Sequence, residues 1–308
     1  GISGARATLL ATGTCTIAAD SPQTDGYHAA ARVTRTFGIA KAAQVITFAQ
    51  PGDLVYGGAD VALVASASSG LPVTITSLTP DVCTVVDGAL HPVTAGTCEV
   101  SASQAGNTVY DAAEPVVRTV GVGKAQQSIT FEQPGNTVFE GADVPLTASS
   151  SSGLPVTVAS STPAVCTVVS GKVHPTGAGT CTLVASQAGG VNHLPAAPVT
   201  RSLTVAKAPI VVTTSSSSSL MSLLTWRVTY TSVVKSAVTG RPVAGVPVTT
   251  RITNAGSTSG CTAVTNANGV ATCTTGPIQI VLFTTYRATA AETSNHLGGE
   301  ATARTPLL

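Results

Sequence analysis

The sequence predicts an all-β chain built from tandem sandwich modules, and three observations carry that expectation. First, residues 41–123 are written out again over 124–206 without a gap. Ile46-Thr47-Phe48 recurs as Ile129-Thr130-Phe131, and Ser68-Ser69-Gly70-Leu71-Pro72-Val73 as Ser151-Ser152-Gly153-Leu154-Pro155-Val156. A period of 83 residues is too long for a solenoid repeat and suits a small sandwich. Second, Cys83 and Cys98 recur as Cys166 and Cys181, so each copy holds a pair 15 residues apart. Third, apolar and polar residues alternate over short runs broken by Gly and Pro, and no stretch keeps a helical period for three turns.

Taken in order, residues 1–40 match only the back half of the repeat. Ala11-Thr12-Gly13-Thr14-Cys15-Thr16-Ile17 aligns with Thr94-Ala95-Gly96-Thr97-Cys98-Glu99-Val100, and Tyr27 with Tyr110. Two strands are expected there, at 14–19 and 32–39, with an apolar face that lacks an opposing sheet. Residues 41–123 read as seven strands: 45–48, 61–67, 73–76, 83–86, 89–93, 97–103 and 116–122. Asp87-Gly88 is a strong two-residue hairpin signal. Residues 124–207 repeat this plan. The linkers Gly121-Val122-Gly123-Lys124 and Val205-Ala206-Lys207-Ala208-Pro209 are short, which predicts a monomeric, extended rod.

From 208 to 308 the pattern changes. Val211–Thr214 is a strand, and the serine run Ser215–Ser219 reads as a loop or a frayed strand edge. Leu224–Tyr230 alternates cleanly, with Trp226 as the expected core anchor. Val246–Ile252, a hairpin turning at Asn266-Ala267-Asn268-Gly269, and strands at 283–291 and 301–305 complete a further sandwich.

Seven cysteines constrain the chemistry. Each repeat pair would staple one module, Cys261 and Cys273 would face each other across the 266–269 hairpin, and Cys15 is left over. Cys15 aligns with Cys98, so its mate would fall just before Gly1 and truncation leaves it unpaired. Both chain ends are accordingly expected to be cut from a longer polypeptide. Paired cysteines at repeated spacing favour an oxidising, extracellular compartment over the alternative of seven reduced, buried thiols. No C-x-x-C occurs, and no His stands at zinc spacing from a Cys pair, so no metal is expected.

Composition narrows the partners. Charged residues make up 9% of 308, far below the ~25% of ordinary soluble domains, and the formal net charge is +1. So few Lys and Arg predict no nucleic-acid partner, because phosphate neutralisation needs a basic surface. The longest apolar runs, Leu220–Trp226 and Pro277–Phe283, fall well short of the ~18 residues of a membrane helix. Membrane insertion of this stretch is not expected.

The strings I-T-F, S-S-G-L-P-V, T-P-x-V-C-T-V, A-G-T-C and A-S-Q-A-G resemble tandem bacterial immunoglobulin-like repeats of large secreted or surface-attached proteins, adhesins among them. That likeness covers residues 1–207. Residues 208–308, with Gly240-Arg241-Pro242-Val243-Ala244-Gly245-Val246-Pro247 and Asn266-Ala267-Asn268-Gly269-Val270-Ala271-Thr272, are similar to the invasin/intimin type. The resemblance implies a stalk or adhesive array and supplies no catalytic residues.

Candidate sites are few. His91 and His174 are equivalent, each followed by Pro, and lie in different copies, so they read as exposed strand-end residues. His193 replaces the tyrosine of the other copies, which argues for a packed ring. Asp60 and Asp143, each in Gly-Ala-Asp-Val, could ligate calcium, but no carboxylates cluster around them and turn capping is favoured. G-x-S-x-G, G-x-x-x-x-G-K-[ST] and H-E-x-x-H are all missing from the sequence, and Val122-Gly123-Lys124 is followed by Ala125, which cannot hold magnesium. The expectation is a non-catalytic stalk without cofactors. The alternatives are a glycan- or protein-binding module and a spacer within a large secreted enzyme.

Overall fold

The computed structural model describes residues 6–222, 225–254, 257–278 and 284–305. Every regular element among them is a β-strand. The chain forms two compact units, Gly1–Gln126 with Gly189–Pro195, and Gln127–Ala188 with Ala196–Leu308.

Within residues 41–123 two layers face each other. One is a four-stranded sheet in the order Leu54–Val55, Val116–Gly123, Gly96–Ser103, Thr74–Ser77. The other combines Val61–Ala62, Ala89–Pro92 and Cys83–Val86 with the separate pair Ile46–Phe48 and Ala65–Ala67. Residues 61–67, expected as one strand, are therefore two. Val61 pairs with Leu90, whereas Ala67 pairs with Ile46, so the chain changes partners in between. Alternation reports which face a residue occupies and is blind to such a change. Leu54–Val55, which runs parallel to Val122–Gly123, is a further strand beyond the expected seven, since two residues carry no period. The second copy repeats each feature, with Thr137–Val138 parallel to Val205–Ala206.

The Asp87-Gly88 turn forms as the dipeptide implied. Both residues have positive φ, 47° and 78°, and Ser170-Gly171 matches them at 49° and 73°. That pair of left-handed residues is the I′ geometry that follows strand twist.

The two cores occupy equivalent positions. Phe48, Cys83, Leu90, Cys98, Val100, Val120 and Val122 in one become Phe131, Cys166, Val173, Cys181, Leu183, Leu203 and Val205 in the other, all 4% exposed or less. Leu to Val at one site is offset by Val to Leu at two others, so the packed volume changes little. Arg118 donates to the Phe48 carbonyl at 2.8 Å through Nη2, and its equivalent Arg201 donates to that of Phe131 at 3.1 Å through Nε. Residues 1–40 contrast with these modules. Strands Gly13–Ser21 and Ala30–Ile39 pair in the register of Gly96–Ser103 with Val116–Gly123, but Ile17, Val33 and Phe37 stay 40–51% exposed.

Residues 208–305 form a sandwich of two sheets. One orders Ile210–Ser222, Thr225–Ser236 and Val270–Thr274; the other orders Ser257–Val264, Pro247–Asn254, Thr285–Ala290 and Gly299–Arg304. Three expectations are corrected here. Ser215–Ser219 belongs to a regular edge strand, paired in register with Arg227–Thr231. Pairing overrides serine's weak β preference once a long partner strand is present. Trp226 is only half-buried; the anchors are Tyr230 and Tyr286, each 1% exposed, on opposite sheets with ring centroids 4.7 Å apart. Trp226 shares their inward parity but sits near the strand end. Finally, Asn266–Gly269 does turn the chain, yet Cys261 and Cys273 lie on strands of different sheets and form no hairpin.

Candidate functional site

The repeat places alanines 42, 125 and 208 at one position, and each builds the same connection. Ala208 donates its N–H to the Asn295 carbonyl and accepts from Leu297 N–H, both at 2.9 Å. Ala125 does the same with Asn192 and Leu194, at 2.8 and 2.9 Å, and Ala42 with Val109 and Asp111, also at 2.8 and 2.9 Å. A segment that starts a sandwich is thus threaded beside a loop near that sandwich's end, in parallel pairing with Tyr110, His193 and His296 in turn. Lysine reinforces two of the joints. Lys124 Nζ donates to the Gly190 carbonyl at 2.7 Å, and Lys207 Nζ to Glu292 Oε1 at 2.5 Å and the Thr293 carbonyl at 2.6 Å.

The loop makes two further contacts within its own compact unit. Asn192 Oδ1 accepts from Ala95 N–H at 2.9 Å, and Asn295 Oδ1 from the equivalent Ala178 N–H at 3.0 Å. The His193 ring meets Tyr56 edge-on, centroids 5.4 Å apart and 78° between planes; His296 meets the equivalent Phe139 at 5.4 Å and 87°. At the Ala42 joint Val109 stands where Asn192 would, and Thr12 Oγ1 donates to the Thr108 carbonyl at 2.6 Å instead. Glycine is required in the loop: Gly106 and Gly189 have φ of 74° and 82°, and a Cβ there would lie 2.5 and 2.6 Å from a carbonyl oxygen. Asn295→Ala is expected to cost about 1 kcal/mol by stranding the Ala178 N–H, read as a lower thermal midpoint for residues 124–305.

The cysteines are brought together in the expected pairs. Cys83 and Cys98 have Cα atoms 5.7 Å apart, Cys166 and Cys181 5.6 Å, and Cys261 and Cys273 5.9 Å, each bridging two sheets. Cys15 has no bonded partner. Asp60 and Asp143 neither gather calcium ligands nor cap turns. Asp60 accepts from His91 Nδ1 at 2.7 Å and Asp143 from His174 Nδ1 at 2.8 Å, on a half-exposed surface. The shared spacing of 31 residues within each copy was the available signal for this pairing. Among the described residues no group of three or more His, Cys, Asp or Glu is placed to hold a metal ion. No described helix is long and apolar enough to cross a membrane. What the sequence did not expose is the joint itself, whose partners Tyr56 with His193 and Phe139 with His296 lie at unequal separations.

Neither a family model nor a curated protein matches the chain. Among solved structures it is similar to the D00-D0 domain of intimin, at 20% identity over 58% of this chain and 99% of that one, with a TM-score of 0.24. It is also similar to Drosophila N-cadherin EC1-4, at 11% identity over 86% and 72% with a TM-score of 0.25. A third is chicken CNTN1 FN1-FN3, at 11% identity over 86% and 99% with a TM-score of 0.22. At such scores none of these carries an argument about function.

Proposed function

We propose that the chain is a non-catalytic structural spacer, part of an extracellular bacterial array that holds another module away from a surface. Its modules are the back half of a repeat at 1–40, the repeats 41–123 and 124–207, and a divergent immunoglobulin-like module at 208–308. The observation that carries this reading is the recurrence of one joint at Ala42, Ala125 and Ala208, with loop, ring contact and amide bond arranged alike at the last two. A contact pattern repeated along a chain at its connections is what a spacer needs. The intersheet cysteine pairs add resistance to unfolding in an oxidising compartment.

Single-molecule stretching of the chain tests the proposal. The repeats should unfold in separate, cooperative events of similar size. Reduction should lengthen each by the sequestered loop, 15 residues or about 50 Å at ~3.5 Å per extended residue. Gradual extension at low force, without discrete events, would rule out a mechanical role.

A further inference from the structure

Among the differences between the joints at Ala208 and Ala125, one changes the backbone requirement. Gly57, which follows Tyr56, becomes Glu140, which follows Phe139. Gly57 has a φ of 68° and Glu140 keeps it at 61°, a left-handed backbone that glycine adopts freely and a glutamate does not. Backbone strain at a joint persists where the surroundings enforce it, and the Glu140 carboxylate is engaged there. Its Oε2 accepts from Thr239 Oγ1 at 3.2 Å and lies 3.9 Å from His296 Nε2. His296 is 8% exposed, and its Nε2 has no hydrogen-bond partner.

A buried polar atom without a partner is uncommon and asks for an occupant. A metal ion lacks the ligands, since no three-residue cluster exists among the described residues. A proton fits. We propose that Glu140 and His296 form a proton-operated clasp: in acid the imidazolium Nε2–H donates a charge-assisted hydrogen bond to the Glu140 carboxylate, and loss of the ring's charge weakens that bond. Closing it ties the turn of residues 139–141 to the loop of residues 293–297, so the joint is firmer in acid than at neutral pH.

The surrounding charges are compatible. Glu140 carries the only described carboxylate within 4 Å of that nitrogen. On the loop, Glu292 is engaged by Lys207. Across the hollow beside Glu140 stand Arg241 and His174, and His174 already pairs with Asp143. Both side chains stand beside the carboxylate and neither is a hydrogen-bond partner of Nε2. The counterpart joint, with Gly57 in place of the glutamate, has no such acid and provides an internal control.

Amide hydrogen exchange on the full chain, normalised for intrinsic rate at each pH, reads the clasp. Protection of the Ala178 and Leu297 amides, which bond across this joint, should be about tenfold greater at pH 5.5 than at pH 8. Glu140→Gln should abolish the difference, and the Ala95 amide of the other joint should show none. Glu140→Gly, which restores the residue of the other repeat, keeps the test open should the glutamine variant fold poorly. A pH response that survives either substitution, or that appears equally at Ala95, overturns the proposal.

Discussion

Replacing Cys166 and Cys181 together by alanine is expected to lower the stability of the 124–207 sandwich by about 3 kcal/mol, the closure entropy of a 15-residue loop. Both residues are 0% exposed and belong to the core, so deleting the sulfurs also leaves a small void. Against a typical total of about 5–15 kcal/mol, that loss is a large share. It corresponds to a fall in thermal midpoint on the order of 15 °C for a module of this size. The Cys83–Cys98 pair should behave alike. The Cys261–Cys273 pair, closing 12 residues with both sulfurs only half-buried, should cost no more than the others. Calorimetry of the three double variants, oxidised and reduced, measures this ranking. A wild-type midpoint unmoved by full reduction would overturn it.

The cysteine pairing was legible because the repeat prints it twice. The same redundancy exposes the cores: Phe48 with Phe131 and Arg118 with Arg201 can be picked out by offset alone. Inside a module the limit was the two-residue period. Residues 61–67 alternate evenly through a point where the backbone leaves one partner for another, and the pattern does not register it. In the last module, Asn266–Gly269 signals a turn correctly, but a turn does not say whether its flanking strands stay in one sheet. There the chain crosses to the other, so Cys261 and Cys273 bridge layers.

The joint was hidden for a different reason. Its anchoring alanines keep the period, but their partners do not: His193 and His296 are 103 residues apart, because the last module is longer. Val109 in place of asparagine also breaks the pattern in the copy where it would be sought. Composition misled in the serine run, where an extended partner strand supplies the backbone bonds that side chains do not. Ser216 and Ser218 point to the half-buried face while Ser215, Ser217 and Ser219 face solvent, the alternation of a true strand.

Trp226 was the natural anchor by size, yet two tyrosines hold the centre of the last sandwich, and they make its stability sensitive to alkali. Burial first, and the neighbouring Tyr286 second, push the Tyr230 hydroxyl up from 10.0 to about 12. Below pH 10 the phenol is protonated in both folded and unfolded chains, and its contribution is intact. Between pH 10 and 12 the unfolded chain ionises at this position while the folded one holds its proton, so stability falls as pH rises. The slope is about 1.4 kcal/mol per pH unit, or nearly 3 kcal/mol across the window. Denaturant unfolding followed by Trp226 fluorescence from pH 9 to 11.5 should show this decline. Tyr230→Phe should flatten it, and at pH 7 the variant should be as stable as the wild type or slightly more so. The reason is that neither the Tyr230 nor the Tyr286 hydroxyl has a hydrogen-bond partner, so removing one deletes a buried, unsatisfied group and no bond. A loss of 1 kcal/mol or more at pH 7 in that variant would show that the hydroxyl is bonded after all.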